Sequence, residues 1–154
     1  MSLLACSRLG LSLRVEDRQV QSHLLSDKAS LSKIRKLVGI DLAQAGADSD
    51  VVFECLVAVT EACSRALRAR SDRRGKPARL TWKIERGMAE FCIEDYSALA
   101  GSAGEHPKRR IHEVVAAESG LEDLSTTVIG ELMDDVEVDE DGRARKITMT
   151  KRLS

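Results

Sequence analysis

The sequence predicts an α+β fold, a two-layer sandwich with helices on one face of a mixed, mostly antiparallel sheet. Three observations predict it. Leu80 to Ile93 alternates apolar and polar residues around Arg86-Gly87, and Val136 to Met149 does the same around Asp141-Gly142, which is how half-buried hairpins read. The stretches near residues 31–42 and 53–67 instead space their apolar residues three and four apart, as amphipathic helices do. Hairpins impose antiparallel pairing, so a doubly wound parallel sheet is excluded.

The element order follows along the chain. The first 14 or so residues lack a period, so residues 1–18 read as a flexible N-terminal extension and 19–154 as a single domain. Gln19 to Leu25 reads as a first strand of weak alternation. Ser30 then stands as N-cap before Leu31, Ile34, Leu37, Val38 and Leu42, and Ala45-Gly46-Ala47 breaks that helix. A longer helix starts near Asp48 or Ser49, with Phe53, Leu56, Val59 or Thr60, Cys63 and Leu67 on one face. It ends in a basic run, Arg68 to Arg74, before Gly75-Lys76-Pro77. That run reads either as a solvated end matched to the helix dipole or as a patch for phosphates or an acidic partner. After the first hairpin, which finishes on Asp95, Tyr96 to Lys108 reads as a loop. Ile111 to Ala117 reads as a short helix, and Leu121 to Met133 as a better one, ended by Asp134 before the second hairpin.

Composition narrows the functions. The chain has 154 residues, 43% of them hydrophobic and 32% charged, with net charge −1 and 3% aromatics. A balanced charge and few stacking platforms argue against a dedicated nucleic-acid binder. No apolar run approaches the length of a membrane span. Cys6, Cys55, Cys63 and Cys92 include no CxxC pair. Cys55 and Cys63 would lie ~12 Å apart along one helix, beyond disulfide reach. They read as core thiols in a reducing compartment, and Cys92 reads as packing. Leu3-Leu4-Ala5-Cys6 superficially matches a lipoprotein box, but only five residues precede the cysteine, so the expected address is the cytoplasm. His23, His106 and His112 are scattered and read as surface or capping residues, so no metal set is expected.

Three strings in this order resemble the GHKL (Bergerat-fold) ATPase superfamily, histidine-kinase-like ATPases, and within it the anti-sigma-factor serine/threonine kinases of bacterial stress and sporulation control. They are Leu56-Val-Ala-Val-Thr-Glu61-Ala-Cys-Ser-Arg65-Ala-Leu, Phe91-Cys-Ile-Glu-Asp95-Tyr-Ser-Ala-Leu99, and Ser119-Gly120-Leu121 through Leu132-Met-Asp134-Asp-Val136. The resemblance covers roughly residues 19–153. It implies ATP and Mg²⁺ as cofactors, Glu61 as general base, Asp95 as the acceptor for the adenine amine, and Ser97, Leu99, Gly120 and Leu121 at nucleotide-contacting positions. It also implies a homodimer.

The departures from that pattern are chemical. Arg65 stands where the family places the Mg²⁺-binding Asn, one helical turn after Glu61. A guanidinium has five donors and no lone pair to offer a cation. The spacing favours a Glu61–Arg65 ion pair; the other reading has Arg65 neutralising phosphates in the ion's place. Ser97 and Leu99 replace glycines, and Glu118 replaces the first glycine of the third string. Expected is therefore an anti-sigma-like regulatory protein that binds a sigma factor or a STAS-type anti-anti-sigma partner, its ATP and Mg²⁺ binding weakened or lost. The alternative is an active ATP-dependent kinase that phosphorylates a STAS-domain serine.

Overall fold

The computed structural model describes residues 20–71, 76–96, 106–110, 124–140 and 144–154. Its elements are β1 (Gln21–Leu25), α1 (Lys28–Gln44), α2 (Ser49–Ser71), β2 (Ala78–Glu85), β3 (Met88–Asp95), β4 (His106–Arg110), α3 (Leu124–Leu132), β5 (Asp135–Glu140) and β6 (Arg145–Arg152). The six strands form one sheet in the order β1-β2-β3-β6-β5-β4. Every described pairing is antiparallel, so the sheet is not mixed as expected. The α+β sandwich itself is as predicted.

Period-two alternation builds the core. Ala78, Leu80 and Trp82 of β2, Ala89, Phe91 and Ile93 of β3, Val136 and Val138 of β5, and Ile147 and Met149 of β6 are all buried on one face. From α1 come Ile34, Val38 and Leu42; from α2 come Cys55, Ala58, Val59, Ala62, Cys63 and Ala66. α1 packs on α2 and β1, α2 spans β1 to β3, and α3 packs on α2 and β5. The opposite face is polar. Arg79, Glu94, Lys146 and Asp139 follow one another in register across β2, β3, β6 and β5, so the charges alternate in sign.

Local chemistry fixes the element ends. The N-cap of α1 is Asp27, not Ser30: the Asp27 carboxylate accepts the Ser30 backbone N–H at 2.8 Å and its hydroxyl at 2.9 Å. Both residue types cap well, and Asp27 wins because Ser30 lies inside the first turn. Those bonds from Ser30 hold the Asp27 carboxyl below its ordinary range. Gly46, at φ +84, ends the α1–α2 turn. Arg86 and Gly87 make the two-residue β2–β3 turn with φ of 52 and 73, the left-handed pair that a tight hairpin needs.

Three other expectations are corrected. Phe53 does not face the core: it is 66% exposed. The buried stripe of α2 is made of small residues and runs along the opposite side of the helix from Phe53. The last three residues of the stretch expected as a loop belong to β4, which runs on to Arg110 opposite Glu137 and whose register shifts between His106 and Arg109. A basic strand with an internal proline carries no apolar period, and an edge position is where such a strand is tolerated. His23 is not a plain surface histidine: its ring stacks on Trp82 at 5.3 Å and 18°. The Trp82 indole in turn donates to Asp41 of α1 at 2.8 Å. The expected basic end after Ser71, the helix over 111–117, the Asp141-Gly142 turn and the 1–18 extension lie outside the described residues.

The thiols give a pH prediction. Burial pushes Cys55 up to about 11 and Cys63 up to about 12, from an ordinary value of 9.0. A raised folded-state value stabilises the fold fully below the unfolded value, and that stability is lost as pH rises through the folded one. Stability measured by urea melts is expected to hold up to about pH 9 and then decline. Cys63→Ala should flatten part of the decline; an unchanged profile would show the thiols do not control it.

Candidate functional site

Positions 54, 61 and 65 of α2 are seven and four apart, so they share one helix face. That face looks toward α3 and β6, and each of its three side chains reaches across. Glu61 Oε2 accepts a hydrogen bond from Ser125 Oγ at 2.9 Å. Arg65 Nη1 donates to Thr126 Oγ1 at 2.5 Å. Glu54 Oε2 lies 2.6 Å from Lys151 Nζ. The Lys151 ammonium also donates to the Leu132 carbonyl at 2.7 Å, capping the last turn of α3. Burial works against the charge on Lys151. The hydrogen bond to Glu54, with the charges of Glu54 and Asp134, more than offsets it and holds the amine above its ordinary range.

These bonds correct the expected Glu61–Arg65 ion pair. Among the described residues none joins the two, although their spacing permits it. The first turn of α3 supplies hydroxyls instead, and Thr126 is only 1% exposed. A buried hydroxyl needs a partner, and the guanidinium provides it. Arg65 is further engaged beyond this bond. The signal for this arrangement was present in the sequence as the Ser125-Thr126-Thr127 run opening a helix opposite a charged stripe, but spacing along one helix cannot reveal a partner sixty residues away.

The metal that the resemblance implies can be tested against this donor set. Mg²⁺ demands oxygen ligands in near-octahedral geometry. Arg65 offers no lone pair, and its guanidinium is committed to Thr126. The residue at this helix turn does not fit the ion.

Asp95 closes β3 on the helix-facing side, in alternation with Phe91 and Ile93. Its register partner is Arg145 of β6, whose own partner across the sheet is Glu140. Arg145 Nε lies 3.3 Å from Glu140 Oε1, and all three residues make further interactions. Sequence reasoning missed Arg145, a cation placed beside Asp95 by the register of β6. The next residue, Tyr96, turns to the opposite face, where its hydroxyl donates to Glu94 at 2.8 Å. Cys92, on that polar face, is half-buried, and burial raises its thiol above the ordinary range. Ser97, Leu99, Glu118, Gly120 and Leu121 lie outside the described residues. Glu61 and Arg65 are thus brought together on one seam with α3, and Asp95 stands on the sheet at the end where α2 runs into β2.

A double-mutant cycle measures the seam. Arg65→Met and Thr126→Val, singly and together, should give a coupling of about 1–3 kcal/mol in urea unfolding. Additive effects would show that the two side chains do not stabilise one another.

A family model described as the histidine kinase-like ATPase domain matches residues 24–151, from within β1 to within β6. Among curated proteins no match to the chain was found. No helix among the described residues is long and apolar enough to cross a membrane.

Proposed function

Because the chain belongs to the histidine kinase-like ATPase domain family, we propose that it is an anti-sigma-type regulatory protein in which ATP binding is weakened or lost. The observation that carries this reading is the bond from Arg65 to Thr126. An arginine occupies the helix turn where the family keeps a metal-binding side chain, and it is held there by the neighbouring helix. Phosphoryl transfer depends on positioned charge and metal more than on covalent chemistry. A site that cannot seat the ion loses most of that contribution.

Two further features support the same reading. Glu61, which the resemblance places as general base, has one carboxylate oxygen engaged by Ser125. Ser97 and Leu99 carry Cβ atoms where glycines let the family's backbone approach the nucleotide. With catalysis diminished, binding remains. The reading assigns the chain a cytoplasmic sigma factor or a STAS-type anti-anti-sigma protein as partner, gripped by the helix and sheet surfaces, and a homodimer as its own state.

Calorimetric titration of the full chain with ATP and Mg²⁺ tests the proposal, together with transfer of labelled phosphate to a STAS-domain protein. Expected are no saturable heat in the micromolar range and no transfer. Micromolar binding would overturn the loss of the nucleotide site, and transfer of phosphate would establish the active kinase in its place.

A further inference from the structure

The side of the helix layer turned away from the sheet carries apolar residues where solvated ones are the rule. α1 buries Ile34, Val38 and Leu42, so Ile40, about 200° around the helix from Val38, points to solvent and is 52% exposed. Phe53 of α2 points the same way. The two helices meet at this level: a Cβ on Gly39 would lie 3.7 Å from Leu56 Cδ1. Half-buried Val57 follows Phe53 by one turn. α3 runs antiparallel to α2, with Ser125 bonded to Glu61 and the Leu132 carbonyl tied through Lys151 to Glu54. Val128 is exposed midway between those anchors, level with Val57. Ile40, Phe53, Val57 and Val128 therefore form one apolar stripe across three helices. Charges flank the stripe by sign. Lys33 and Lys36 are exposed on the side toward the start of α1; Asp48, Asp50 and Glu131 are exposed on the other. Among the described residues no ion pair engages any of these five.

We propose that this stripe docks one amphipathic helix of a partner protein, with acidic residues on the flank over Lys33 and Lys36 and basic residues on the flank over Asp48, Asp50 and Glu131. Its dimensions fit. Packed helix axes lie about 8–10 Å apart, so three helices give a stripe on the order of 20 Å long. A helix of about 13 residues spans that length and offers one row of apolar side chains at helical spacing. Phe53 is the anchor, since aromatic side chains are concentrated in the cores of interfaces. The split of charge decides between occupants. An anionic lipid surface or a nucleic-acid backbone would be drawn to the two lysines but repelled by the three carboxylates. Only a partner carrying both signs satisfies both flanks. The inference rests on the reading of the chain as a protein-binding regulator and names a surface for it. Its test involves neither nucleotide nor phosphate transfer, so the two fail separately.

The probe is a labelled synthetic helix of about 18 residues, with a leucine stripe, glutamates on one flank and lysines on the other, titrated with the full chain by fluorescence anisotropy. Saturable binding is expected, weakened about tenfold or more by Phe53→Ser. The thermal melt should not change, because that side chain is exposed; Ile40→Ser serves if the variant does not fold. Peptides with lysines on both flanks, or glutamates on both, should bind more weakly. The double variant Lys33→Glu, Lys36→Glu should reverse part of that order and prefer the all-lysine peptide. No saturable binding, or binding indifferent to Phe53 and Ile40 or to the flank charges, would overturn the proposal. So would a wild-type oligomer that Phe53→Ser dissociates, which would give the face to a second copy. Sedimentation with phosphatidylglycerol vesicles that Phe53→Ser abolishes would give it to a membrane and overturn the proposal equally.

Discussion

The polar seam between α2 and α3 is the constraint on which the rest of this structure depends. α3 is a short helix, nine residues long, and such a helix has little stability of its own. It is fastened at both ends by charged groups from elsewhere in the chain: at its first turn by Glu61 and Arg65, at its last carbonyl by Lys151. Lys151 is itself held by Glu54 from the same face of α2. One stripe of α2 therefore sets the position of α3, and with it the entry into β5 and the second hairpin.

That use of the stripe competes with the use the family makes of it. A side chain that anchors a neighbouring helix through a buried hydroxyl is costly to withdraw, since the hydroxyl would be left without its partner. Replacing a neutral metal ligand by a guanidinium changes the sign of the site's chemistry: a donor cannot coordinate, but it can join two helices. On the proposed reading the same residue both removes an ion site and adds the bond to Thr126. On that reading, loss of nucleotide handling and retention of a surface for proteins are two consequences of one residue.

Much of this was legible in the sequence. Period two gave the β2–β3 and β5–β6 hairpins with the correct inward residues, and the Arg86-Gly87 turn followed from its chemistry. The α1 stripe of Ile34, Val38 and Leu42 was equally plain. What failed did so for identifiable reasons. Phe53 is apolar but lies off the core stripe of α2, which is lined by alanines and cysteines too small to dominate a hydrophobic pattern. β4 is defined by its pairing with β5 and not by its own residues. Glu61 and Arg65 were recognised as neighbours, yet their partners come from Ser125 and Thr126, and local spacing favours the pair that is closest in sequence.

The central claim is that the guanidinium at position 65 excludes the divalent ion. Nucleotide affinity of Arg65→Asn beside that of the wild-type chain, with and without Mg²⁺, tests it most directly. The account predicts that the asparagine variant binds ATP more tightly than the wild type and only when Mg²⁺ is present. Equal affinities in the two proteins, or a gain that is indifferent to the ion, would contradict it.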